Sequence, residues 1–157
     1  LENSYSKTLQ EKMDKDRHGI SVIHFDKLGV VRPRSTDLEE LREKQRVHLL
    51  EIEEAFPFYF MGVMKEIDRG NSIDAMASFI GGILKPIVEL LGIIHRPHRY
   101  DFGLRYLHRD FPKETHELLQ KLIYSPDLEG LRDRAIEAKN LFEASLLQTK
   151  KYSQNTS

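Results

Sequence analysis

The side chains that could do chemistry in this chain are carboxylates, imidazoles and cations, because it has no cysteine. That excludes a disulfide framework, a thiolate zinc site and a cysteine nucleophile. Four groupings remain. His95 and His98, with Asp101 and His108 close in sequence, have the side-chain types of a metal site. A ligand set needs three or four converging groups, however, and Pro97 interrupts the register between the two histidines. Arg109 and His116 could pair a cation that stabilises a phosphate with an imidazole that moves protons, although Pro112 stands between them and predicts a new helix. His24 and Asp26 lie on alternate positions of a predicted strand and would face the same side; as a turn-forming aspartate, Asp26 has a simpler role. The stretch 60–77 gathers Lys65, Glu66, Asp68 and Arg69 at a helix end. There Gly70 stops one helix, Asn71 caps the next and Asp74 complements its dipole, which accounts for the spacing as a helix–helix corner.

Charge adds one regional signal. The formal net charge is -1, which argues against a strongly basic nucleic-acid binder. Between positions 85 and 113, however, six Lys or Arg (85, 96, 99, 105, 109, 113) face three acids (89, 101, 110), and three of the seven histidines lie there. This local excess suits a phosphate-bearing ligand and singles out Arg99 and Arg105; a solvated helix face has the same composition.

The elements that must position these groups are helical. A length of 157 residues fits one core-forming domain, or one helical domain with a short appendage. Leu1, Tyr5, Leu9 and Met13 predict a short N-terminal helix over 1–17, and Ile20, Val22, Ile23 and Phe25 predict a strand that turns at Asp26. Residues 1–35 therefore form a helix plus a strand or hairpin, and 36–150 form an all-α, up-and-down bundle of about five helices. Thr36 and Glu39 form a capping box. Leu38, Leu41, Leu49, Ile52 and Phe56 follow on one face, interrupted by Gln45, and Pro57 should kink or end that helix.

Residues 75–94 are apolar enough to span a membrane. Lys85 and Glu89 lie inside that segment, and each central charge costs roughly 2.5–3.5 kcal/mol on insertion scales. A buried helix whose Lys85 and Glu89 share one face and point into one cleft explains the pattern at lower cost. Three further helices are predicted. One, over 98–109, carries Tyr100, Leu104 and Leu107, with Phe111 continuing the stripe. The next, over 113–123, buries Leu118, Leu119, Leu122 and Ile123. The last is capped by Ser125 with Pro126 at its first position and fraying after Lys150. Nothing resembles a signal peptide, so the expectation is cytoplasmic; the sequence also leaves a homodimer open.

Arg69-Gly-Asn-Ser-Ile-Asp-Ala75 resembles the Arg-Gly-Asp/Asn…Ala corner in the helical C-terminal half of nucleotidyltransferases related to DNA polymerase beta, which include aminoglycoside nucleotidyltransferases. The similarity continues through the apolar helix over 73–94, the Pro-containing segment 95–100, Asp110-Phe-Pro112 and the final capped helix; Val22 to Gly29 looks like the strand that precedes this bundle. It covers about residues 20–148. The resemblance implies an accessory, substrate-binding domain that binds a nucleotide or a small-molecule acceptor. On that basis Glu66, Asp68, Arg69, Asp74 and Lys85 join Arg99 and Arg105 as candidate substrate-binding residues; Arg69 and Asn71 lie on the motif, the others follow charge and placement. The family's Gly-Ser motif with paired carboxylates, which holds two magnesium ions, is not found in these residues, so magnesium and a nucleoside triphosphate are expected only with a catalytic domain upstream. No catalytic residue and no metal ligand is assigned in this chain, which alone is expected to be inactive. Two alternatives stand beside this. Arg109 and His116 also match the Arg-x(4–6)-His pattern of HEPN ribonucleases, which implies a metal-independent ribonuclease or toxin-partner bundle. The third reading is a non-catalytic dimerisation module.

Overall fold

A computed structural model describes residues 14–20, 22, 24, 25, 27 and 35–155. Within them the chain is all-α, with no β-strand. The helix predicted over 1–17, the strand over 20–25 and its turn at Asp26 lie wholly or partly outside the described residues. Two units are distinguished, 1–44 and 45–157. In the first, α1 (Lys15–His18) ends at Gly19, whose φ of 83° suits glycine. Thr36 N–H donates to Asp16 Oδ2 at 3.0 Å.

The long helix α2 (Leu38–Asp68) runs from the first unit into the second. Its cap is Asp37, not Thr36: Asp37 Oδ1 accepts from the N–H groups of Glu39 and Glu40 at 3.0 and 3.1 Å. Pro57 does not end the helix. The ring is exposed, so the Glu53 carbonyl it deprives of a partner lies on the solvent side, where water can satisfy it.

In the second unit the Gly70 corner, with φ of 75°, turns the chain into a helical run from Ser72 to His95. It comprises α3 (Ser72–Ser78), a π-helical stretch (Phe79–Leu84) and α4 (Lys85–His95). The π stretch ends just before Pro86, which cannot donate to the carbonyl four residues back. It contains Gly82, where a Cβ would lie 3.0 Å from Cβ of Tyr59; α2 thus approaches the widened turn closely. The run is long and apolar enough to cross a membrane by length and composition, yet 67% of its most apolar window is buried inside the fold.

The predicted helix over 98–109 is not formed as one element. A 3₁₀ turn (Pro97–Arg99), a series of turns and α5 (Leu107–Asp110) replace it. Tyr100, Leu107 and Phe111 are nevertheless buried, while Leu104 is exposed. Helix α6 (Lys113–Ile123) buries Leu119 and Leu122 but leaves Leu118 and Ile123 partly exposed. The final helix α7 (Leu128–Asn155) is capped by Asp127, whose Oδ1 accepts from Gly130 N–H at 2.8 Å; Ser125 instead donates to the Asp127 carbonyl. It continues beyond Lys150, where an ion pair with Glu53 at 2.6 Å ties its last turns to α2.

Small residues explain how α7 packs on α4. Ala135, Ala138, Ser145 and Thr149 fall on one buried stripe, alternating three and four apart around Phe142. Phe142 stacks on Phe56, and Thr149 Oγ1 reaches the carbonyls of Ser145 and Leu90. The core collects Leu49, Phe56 and Val63 of α2, Phe79 and Ile83 of the π stretch, and Ile87 and Leu90 of α4. Gly92 completes the packing. A Cβ there would come within 2.9 Å of the Tyr100 Cα and carbonyl oxygen, which are backbone and cannot swing aside. Gly92→Ala is therefore expected to cost about 1–3 kcal/mol through overpacking. Chemical denaturation would check this; a change under about 0.5 kcal/mol, the scatter of neutral surface variants, would mean that the 97–106 segment can slide.

Candidate functional site

Two polar clusters are built into the second unit, one on the α2–α4 face and one in the 95–111 segment. On α2 the buried stripe contains polar positions. Gln45 is buried, and its Nε2 donates to the Pro97 carbonyl at 2.9 Å. One turn on, His48 donates from Nε2 to Glu89 Oε2 at 3.0 Å. Glu89 is buried in the middle of α4, its side chain only 6% exposed. Lys85, one turn earlier on α4, approaches the other carboxylate oxygen at 3.6 Å with its side chain 54% exposed. Glu51 lies 3.6 Å from His48 Nδ1, and the Tyr100 ring flanks the imidazole at 5.5 Å. The hydrogen bond to Glu89 raises the His48 pKa above its ordinary value; burial opposes this, and the Glu89 and Glu51 charges reinforce it. A partly exposed imidazole backed by a buried carboxylate can hold or pass a proton at its outer edge.

The second cluster converges on Asp110, whose side chain is 2% exposed. Arg99 Nη2 and Arg109 Nε each donate to Oδ1 at 2.9 Å, and Arg96 Nη1 lies 3.6 Å from Oδ2. Arg96, with its side chain 1% exposed, also donates to the carbonyls of Arg105 and Gly103 and lies over the Phe111 ring. This is why 98–109 is not one helix. Arg96 gathers the carbonyls that a helix would use internally, Gly103 adopts a φ of 58°, and Tyr106 adopts a left-handed φ of 63°. Burial pushes the Asp110 carboxyl up. The Arg109 hydrogen bond and the charges of Arg99, Arg109 and Arg96 outweigh that, and its pKa lies below the ordinary value. Burial lowers the Arg96 pKa, with Asp110 opposing.

The seven sequence-derived candidates are distributed over three places. Glu66, Asp68, Arg69 and Asp74 belong to the helix corner. There Glu66 accepts from Asn71 Nδ2 at 2.6 Å and Arg69 Nη1 at 3.0 Å, and these bonds, that from Asn71 first, lower its pKa. Asp68 pairs with Arg132, and Asp74 is exposed in the first turn of α3. Asp68 and Arg69, with Lys65, line an open groove of about 590 Å³ whose remaining wall is Phe60, Met61 and Met64. Lys85 belongs to the His48–Glu89 cluster. Glu89 points inward as expected, whereas Lys85 lies mostly in solvent. Arg99 and Arg105 belong to the arginine cluster, Arg99 on Asp110 and exposed Arg105 over the Phe102 ring.

The other chemical groupings resolve differently. His95 packs edge-on against Phe111, and burial lowers its pKa. Among the described residues no group of three or more His, Asp or Glu is arranged to hold a metal ion. Arg109 is held by Asp110 and lies over the Tyr106 ring, and His116 belongs to the next helix, beyond the extended Phe111 and Pro112. The residues that sequence reasoning left unassigned are His48 and Arg96. For His48 the available signal was a polar side chain on an apolar stripe: positions 45 and 48 fall between Leu41, Leu49 and Ile52 at helical spacing. No family model matches the chain, and neither a curated protein nor a solved structure matches it.

Proposed function

We propose that this bundle is the accessory, substrate-binding part of a nucleotidyltransferase-like protein, and that a small-molecule acceptor binds at the His48–Glu89–Lys85 face. The observation that carries this reading is the buried Glu89 carboxylate held between His48 at 3.0 Å and Lys85 at 3.6 Å. A carboxylate and an imidazole in hydrogen-bond contact can orient an acceptor hydroxyl and take up its proton, and a half-exposed ammonium beside them can face a phosphate. The sequence similarity of the Arg69–Ala75 corner supports the same reading.

The test is nuclear magnetic resonance of the chain titrated with aminoglycosides, monosaccharides and nucleosides. At least one class should shift the His48 ring resonances and the Lys85 side-chain signals in a saturable way, and Glu89→Gln should weaken that response several-fold. Shifts confined to other surfaces, or none with any class, would refute the acceptor reading. So would cleavage of RNA in EDTA that Arg109→Ala and His116→Ala each abolish, since that activity belongs to the HEPN-like alternative.

A further inference from the structure

We infer that the arginine cluster around Asp110 is a binding site for a phosphate group carried by a small molecule, a site independent of the acceptor reading. The charge balance comes first. Four arginines, at 96, 99, 105 and 109, stand against two acids, Asp101 and Asp110, which leaves the segment two positive charges in excess. One buried carboxylate cannot neutralise the three guanidinium groups that converge on it.

The donor geometry comes second. Each arginine has five N–H donors in a planar fork, and Asp110 occupies only one nitrogen of Arg99 and one of Arg109. Arg99 Nε is shielded from solvent and has no hydrogen-bond partner, so Arg99 meets an incoming oxyanion through its outer guanidinium nitrogens. The Arg109 side chain is 55% exposed and that of Arg99 is 30% exposed, so both forks have edges open to an incoming oxyanion. Arg96 is fixed beneath them by two carbonyls and by Phe111, and it adds charge without moving. Asp110 repels an anion, but its carboxylate is itself held by the same cations, and a phosphate has three oxygens to share among the outward donors.

The shape of the segment comes third. Tyr106 adopts a left-handed backbone conformation, a strained choice for a bulky residue, and its ring lies beneath Arg109 at 4.7 Å. The strained turn thus supports the most exposed of the three arginines that meet at Asp110. A ligand with a terminal phosphate or diphosphate suits this surface better than a polymer backbone, because the rest of the chain is net negative.

Isothermal titration calorimetry of the full chain with inorganic pyrophosphate tests this. We expect saturable one-to-one binding that weakens as salt rises from low to physiological levels. Arg109→Gln and Arg99→Gln should each weaken it about tenfold, roughly one charge-assisted contact. Lys139→Gln, on α7, should leave it unchanged. Circular dichroism of each variant confirms folding, and if Arg99→Gln unfolds, Arg109→Gln carries the test alone. No saturable binding, or binding that Arg109→Gln changes less than twofold, overturns the inference. Tighter binding of a short single-stranded RNA than of pyrophosphate, lost in the same variants, overturns its small-molecule part.

Discussion

Replacing Arg96 by methionine is expected to cost about 3–5 kcal/mol of folding stability, the range for removing one partner of a buried ion pair. Methionine fills much of the arginine volume, so the loss reports charge and hydrogen bonds more than a cavity. The substitution strands the carbonyls of Gly103 and Arg105 and deprives buried Asp110 of its most deeply buried cation. Arg109→Gln removes a bond to the same carboxylate, but its side chain is 55% exposed, and solvent screening limits the loss to about 1 kcal/mol or less. Urea denaturation of both variants at neutral pH checks the contrast. Equal losses would mean that the 96–110 turn is not organised around Arg96. The pH dependence follows from Asp110, whose folded pKa lies below its ordinary value. Its contribution is complete above the ordinary carboxyl value and is lost as pH falls through the lowered one, so the wild-type advantage over Arg96→Met should narrow in acid.

His48→Ala is expected to cost about 3 kcal/mol at pH 6, the lower end of the range for breaking a buried pair, because the imidazole is partly exposed. The variant leaves Glu89 in the interior with only Lys85 at 3.6 Å, and an ammonium so exposed compensates little. The double variant His48→Leu with Glu89→Leu should recover most of the loss, since apolar residues can replace a buried ionic pair at little cost. The folded pKa of His48 is raised above 6.5. Its contribution is therefore fully present below 6.5 and is lost as pH rises through the raised value. The groups facing it are Glu89, Glu51 and the Tyr100 ring, with Lys85 behind Glu89. Thermal unfolding at pH 6 and pH 9 should show a decline in the wild type that His48→Ala lacks. The same slope in both proteins would assign the pH effect to other groups.

Helical periodicity was legible wherever one face of a helix is buried along its whole length. The stripe Leu131, Ala135, Ala138 and Ser145 and the apolar run over 75–94 could be read directly from the 3.6-residue repeat, whereas the choice between Leu141 and Phe142 was made by the packing, which buries Phe142. The start of α6 after Pro112 was legible for a similar local reason. Caps were legible only to within a residue or two. Thr36 and Asp37, or Ser125 and Asp127, have equivalent chemistry, and only the backbone angles decide which oxygen meets the free N–H groups.

Pro57 is tolerated because of the side of α2 on which it lies, a property of packing rather than of proline. Residues 98–109 have helical spacing but are not one helix, because the Arg96 side chain, from outside the segment, takes the carbonyls that a helix would need. The clusters themselves were fixed only by tertiary structure. Lys85 and Glu89 could be paired from their spacing of four. His48, however, is 41 residues from Glu89, and three arginines select the one carboxylate at 110 over that at 101. Sequence determines which side chains share a helix face, because that follows from the local backbone. It does not determine which buried charge meets which, because that depends on how desolvation is shared once the helices have packed.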